Sequence, residues 1–174
     1  MKKEAMDVLK NRRSIRQYKD MQVSKEDLEA MLELGTYAPT SRGLQLPMIV
    51  AVQDKETVEQ LAKMNAAVLD REGNPYHGAP TIVIVFSPGD SRTCVEDGSA
   101  VMTQLLIAAY AVGLGACWIN REKQMFDTAE GKELMKKWGV PENFVGVGGF
   151  SLGYADGEHP TPIPRKDDYT IIVE

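Results

Sequence analysis

Near the amino terminus, Arg12-Arg13-Ser14-Ile15-Arg16 gathers guanidinium groups around a hydroxyl. If the chain runs extended beyond Arg12, side-chain alternation puts Arg12, Ser14 and Arg16 on one side, with two forks flanking the hydroxyl and backbone N–H groups. That set suits an anion. A phosphomonoester carries roughly one to two negative charges near neutral pH, its oxygens match the planar Arg fork, and each charge-assisted bond contributes roughly 1.5–3 kcal/mol. A solvated basic turn is the competing reading, so the cluster counts as a site only where other stretches complete it.

Gly149-Phe150-Ser151-Leu152-Gly153 matches the Gly-x-Ser-x-Gly nucleophile elbow of a serine hydrolase letter for letter. That elbow needs a helix directly after the serine, then an acid and a histidine further along. Here Tyr154-Ala155-Asp156-Gly157-Glu158-His159-Pro160 follows, turn-rich and near the carboxyl end, so the hydrolase reading is rejected. Small residues in a crowded strand explain the glycines. His77 and His159 stand in Gly or Pro turns without a carboxylate or second His at ligand spacing, which makes them loop residues rather than bases or ligands, and no metal is expected. Cys94 and Cys117 show no Cys-x-x-Cys spacing and read as buried thiols. Neither a Gly-x-Gly-x-x-Gly turn nor a Walker A motif occurs, so a nicotinamide would visit as a substrate rather than stay bound. Trp118, at a strand end beside Ile119-Asn120, fits either a packed core indole or a wall of an aromatic ligand's pocket. Arg165 and Lys166, beyond three prolines, are solvated charges or return to the anion that Arg12 and Arg16 hold.

The elements that position these residues follow from composition and period. A chain of 174 residues, 43% hydrophobic and 26% charged, suits one domain spanning residues 1–174. Its net charge of −5 argues against a nucleic-acid or anionic-membrane surface, and the basic cluster stands out against that acidic whole. The start, Met1-Lys2-Lys3-Glu4-Ala5-Met6-Asp7, lacks the apolar run of a signal peptide and no later segment approaches a membrane span, so a cytoplasmic protein is expected.

Ala5, Val8, Leu9 and Arg12 at helical spacing predict a short helix that delivers the cluster at its end. Ser24-Lys25-Glu26-Asp27 resembles a capping box for a helix to about Tyr37, and Ala38-Pro39-Thr40-Ser41-Arg42-Gly43 breaks it. Residues 47–52 read as a buried strand, Asp54 caps a third helix, and residues 81–86 form a β-branched core strand. Residues 95–112 are apolar on nearly all sides, so that helix is buried all round or lies in a subunit interface. A strand over 114–119, a helix over 126–138 and a Gly-punctuated strand over 143–152 follow. Pro160, Pro162 and Pro164 stiffen an arm that ends in an apolar strand over 169–173, which must pair with a sheet edge, its own or a neighbour's.

Taken together these stretches resemble the nitroreductase family of small FMN-dependent oxidoreductases. The likeness is carried by Arg12-Arg13-Ser14-Ile15-Arg16 with Tyr18; by Ala38-Pro39-Thr40-Ser41 followed by Gln45; by Gly78-Ala79-Pro80 before a strand; by Glu96-Asp97 opening the long apolar helix; by Gly113-Leu114-Gly115-Ala116-Cys117-Trp118-Ile119; and by Gly153-Tyr154 leading to Pro164-Arg165-Lys166. The resemblance implies an α+β fold, a mainly antiparallel central sheet flanked by helices, in an intertwined homodimer whose C-terminal strand joins the other subunit's sheet. It implies FMN at the dimer interface, with Arg12, Arg13, Ser14 and Arg16 on the phosphate and ribityl chain and Arg165 and Lys166 completing the anion site. Thr40, Ser41 and Gln45 would come from the partner chain, and Cys117, Trp118 and Ile119 would line the ring. It further implies ping-pong transfer from NAD(P)H to a small electron-poor acceptor such as a nitroaromatic or quinone. The cofactor carries that chemistry, so no catalytic side chain is named. A flavin store or sensor without efficient turnover is the alternative. One departure bears on the acceptor: where many relatives have Asn two residues before the Gln and Pro-Trp after it, this chain has Gly43-Leu44-Gln45-Leu46-Pro47.

Overall fold

The computed structural model describes residues 4–174; Met1–Lys3, the first part of the start read for a leader, lie outside the described residues. One antiparallel sheet runs in the order β1 (Met48–Val52), β2 (Thr81–Pro88), β4 (Phe144–Gly153), β3 (Gly115–Ile119). Alternation along β2 sends Ile82, Ile84 and Phe86 to one face and Val83 and Val85 to the other. Both faces are covered, which is why this strand is an unbroken apolar run. Helices α3 (Lys55–Ala67), α5 (Glu122–Asp127) and α6 (Ala129–Trp138) cover the first face, and α2 (Lys25–Gly35) and α4 (Cys94–Ala111) cover the second. The expected α+β architecture is what the chain adopts.

Local chemistry sets the helix ends. Ser24 Oγ accepts from Asp27 N at 3.1 Å, while the Asp27 carboxylate accepts from the Tyr154 hydroxyl at 2.6 Å instead of returning to the cap. The box is half formed, and α2 stops at Gly35, two residues before the expected Tyr37. Asp54 caps α3 as read, accepting from Thr57 N at 2.9 Å.

Two expectations need correction, and for two others the single chain removes one of the alternatives. The strand over 47–52 was expected to be buried, but β1 is a sheet edge and only Val52 is fully covered. The single helix over 126–138 is two: Thr128 is extended, its hydroxyl donating to Met125 O at 2.7 Å and accepting from Gly131 N at 3.0 Å, so it closes α5 and opens α6. Helix α4 is not sealed all round. Thr103 is exposed, and Ala100, Gln104, Ile107 and Ala111 form a half-buried stripe at heptad-like spacing. Finally, residues 169–173 form no strand within the chain, and Ile171, Ile172 and Val173 are 83–90% exposed.

Candidate functional site

Helix α1 (Ala5–Asn11) ends where Arg12 turns extended, at φ −57° and ψ 131°. Ser14 then bridges in parallel to Ala116 of β3, and Ile15 N donates to Ala116 O at 3.0 Å. Ile15 is buried against Gly115, where an added Cβ would stand 2.9 Å from the Ile15 Cβ; only glycine lets the segment lie so close. With Ile15 inward, Arg12, Ser14 and Arg16 take the outer side, and their side chains make no hydrogen bond among the described residues. The alternation read from sequence is therefore present. Arg13 shares the inward side and folds onto the backbone, donating to Lys10 O at 2.9 Å and Arg12 O at 2.7 Å.

Tyr18 locks the segment to the sheet. Its hydroxyl lies 2.6 Å from Ile15 O and 2.8 Å from Ser151 Oγ, and burial raises its pKa. Ser151 is thus a fully buried hydroxyl near the end of β4, with Tyr18 and Cys117 O as partners and no helix behind it. A nucleophile elbow is absent.

A cleft of about 550 Å³ opens between β3, the start of α5 and residues 66–77. Arg16, Cys117, Trp118 and Ile119 line it, as do Asn74, His77, Asn120 and Arg121. β3 is the other edge of the sheet, and beyond Ala116, where Ser14 and Ile15 are bonded, no further strand pairs with it among the described residues. Trp118 settles between its two readings: the indole packs over Gly148 and Met102 with Nε1 buried and unpartnered, yet the residue also borders the cleft. His77, read as an ordinary loop residue, is part of the cleft, and its pKa is lowered by burial and then by the Arg16 charge. Arg16, Arg71 and Arg121 against the single carboxylate of Glu72 give the cleft a net positive lining.

Beneath it lies a polar cluster that no motif signalled. Asn65, fully buried, donates to Asn120 O at 2.9 Å and accepts from Arg121 Nε and Nη2 at 2.9 and 2.7 Å. Tyr76, also fully buried, donates to Glu122 Oε1 at 3.0 Å, while Glu122 Oε2 has no partner. Burial pushes the Glu122 carboxyl up to about 7, against the opposing pull of its own backbone N–H, Tyr76 and Arg121.

Of the amino-terminal cluster only Arg16 lines this cleft; Arg12, Arg13 and Ser14 do not, and the remaining candidates lie elsewhere. Thr40 Oγ1 accepts from Gln45 N at 3.0 Å, and Ser41 N donates to Asp97 Oδ1 at 2.8 Å, which ties the loop to the start of α4. Ser41 borders a separate cleft of about 390 Å³ with Arg42 and Arg92. Arg165 bends onto its own arm, donating to Ile163 O at 2.6 Å and 3.1 Å, and Lys166 is exposed beside it. The single chain does not bring Thr40, Ser41, Gln45, Arg165 or Lys166 to Arg12 and Arg16.

A model of the nitroreductase family matches residues 9–154, from the anion-facing segment through β4. The chain belongs to the nitroreductase family. An Archaeoglobus fulgidus protein named as a candidate NADH dehydrogenase/NAD(P)H nitroreductase is 34% identical over 162 residues, covering 89% of this chain and 87% of that protein. The NADPH-flavin oxidoreductase of Vibrio harveyi is 27% identical over 179 residues, covering 93% and 70%. Among solved structures, a Bacteroides fragilis nitroreductase crystallised with bound FMN superposes with a TM-score of 0.90 at 28% identity, covering 99% of this chain and all of that one. The nitroreductase fold thus extends over residues beyond the family match, including the exposed arm.

Proposed function

We propose that this nitroreductase-family chain is an FMN-dependent oxidoreductase that passes electrons from NAD(P)H to a small electron-poor acceptor, a nitroaromatic, quinone or similar compound. The observation that carries the reading is the outward row of Arg12, Ser14 and Arg16, whose side chains make no hydrogen bond among the described residues, bonded to the edge strand whose end borders the cleft. Unpaired guanidinium forks and a hydroxyl fit a phosphate. A cleft of this size, bordered by exposed strand backbone and Trp118, fits a flat ring beside it. The FMN-bound Bacteroides fragilis relative and the flavin-named Vibrio harveyi relative support the same cofactor.

When bound, FMN would supply the hydride and electron-transfer chemistry between NAD(P)H and the acceptor, in the ping-pong order of this reading. The chain's own part is placement. Arg12, Ser14 and Arg16 hold the phosphorylated end, β3 fixes the ring's depth through Cys117, Trp118 and Ile119, and the cationic cleft attracts electron-rich groups. Thr40, Ser41 and Gln45 come from a second copy in this reading, because one chain leaves them remote. Arg165 and Lys166 complete the anion site once the arm is seated.

The test is spectroscopic. Purified protein supplied with FMN should be yellow, bleach with NADH or NADPH under anaerobic conditions, and recover colour when a nitroaromatic or quinone is added. Colour that neither nicotinamide bleaches would make the chain a flavin store or sensor. Protein that stays colourless with FMN would defeat the reading.

A further inference from the structure

Arg121 holds a backbone conformation that its side chain opposes. At φ 91° it sits in left-handed territory, which glycine enters freely and an arginine does not. Such strain persists only where surrounding bonds over-determine it. Here they do: the buried amide of Asn65 binds Asn120 O with its nitrogen and the Arg121 guanidinium with its oxygen, clamping the turn from both sides. The fork is therefore fixed rather than swinging.

Its charge is not spent inside the protein. Nε and Nη2 go to Asn65, while Nη1 makes no hydrogen bond among the described residues and is not among the buried orphaned atoms. No carboxylate lies within ion-pair distance of Arg121 among the described residues, and Glu122 turns its carboxyl to Tyr76. Arg121 nevertheless borders the cleft beside Asn120 and Ile119. A half-buried, immobilised cation that forms no ion pair among the described residues and borders a ligand cleft acts on whatever charge develops there.

We propose that Arg121, anchored by Asn65, is a positioning cation of the cleft that favours the reduced, more negative state of bound FMN over the oxidised state. This rests on the FMN reading above and names a residue that tunes the cofactor rather than one that binds its phosphate. The left-handed backbone provides an unusually clean variant. Arg121→Gly suits φ 91° better than arginine does, so it removes the charge while keeping the turn.

The experiment measures the midpoint potential of FMN bound to wild type, Arg121→Gly and Arg121→Gln, each reduced beside a reference dye at pH 6, with melting temperature recorded for all three. Both variants should fold and bind FMN, at a melting temperature lowered by the loss of the donors to the buried Asn65 oxygen, and lose about tenfold of the preference for reduced over oxidised cofactor, a shift of about 30 mV downward for a two-electron couple. An unchanged potential in either folded, FMN-loaded variant overturns the proposal. Failure of both variants to fold assigns the guanidinium to the scaffold and overturns it too. A wild type that takes up no FMN is a different failure: it defeats the reading of the site, and the tuning role falls with it.

Discussion

Arg12 and Arg16 matter because the chain gives them no other work. Each lies on the outer side of the segment that Ile15 pins to β3, without an internal hydrogen bond among the described residues. Replacing both with Ala should raise the dissociation constant for FMN by about 100-fold, close to 3 kcal/mol from two partly solvated charge-assisted contacts. The melting temperature of the cofactor-free protein should hardly move; titration by flavin fluorescence and a thermal melt check the two halves. Glu122 is the opposite case, a carboxyl with a strong internal setting. Its native pKa of about 7 stands above the unfolded reference of 4.5, so the folded state holds the proton more tightly. The resulting stabilisation, of order 3 kcal/mol, is complete below about pH 4.5 and drains away as pH rises to about 7. Urea midpoints should fall across that window, and Glu122→Gln should flatten the slope.

At the scale of elements, the break at Thr128 decides how α6 meets α5. Gly131 approaches the end of α5 so closely that a Cβ would stand 2.2 Å from Met125 O and 2.6 Å from Phe126 Cα. Alanine is the better helix former by about 1 kcal/mol, but a methyl group against a backbone carbonyl cannot be relieved by a rotamer change. Gly131→Ala should therefore destabilise by roughly 2–3 kcal/mol, read from urea unfolding, despite its favourable propensity. The same element shows where sequence reading runs out. Caps at Ser24 and Asp54, the β-branched run of β2 and the Arg12–Arg16 alternation are local signals, so they were legible from neighbours a few residues away. Thr128 interrupts an otherwise helical pattern, and only the packing of α5 on β4 shows that the pattern must break. Asn65, Tyr76 and Arg121 likewise carry no motif; they become a unit because residues 46 and 56 positions apart meet under the cleft.

On the scale of the whole molecule, the single chain leaves an apolar arm and an open sheet edge. The arm presents Ile163, Tyr169, Ile171, Ile172 and Val173, each at least 75% exposed. At the far side of the sheet, β1 has an unpaired edge bordered by a groove of about 610 Å³ that runs past Lys137 and Trp138. An apolar strand without a sheet and a sheet edge without a strand are both aggregation hazards if left alone. Exchange between two copies removes both at once, and burying the arm's large side chains is worth about 1.5–3 kcal/mol each before the cost of ordering the arm. Removing residues 168–174 tests that exchange separately from the anion site, because Arg165 and Lys166 remain in the shortened chain. Light scattering should show two chains per particle for the full protein and one, or a concentration-dependent mixture, for the truncated protein. FMN affinity should fall as dimers are lost if, as proposed, Thr40, Ser41 and Gln45 serve a second copy. A truncated protein that remains a tight dimer with full flavin affinity would place the intersubunit contact elsewhere, with the half-buried α4 stripe of Ala100, Gln104, Ile107 and Ala111 as the surface able to hold it.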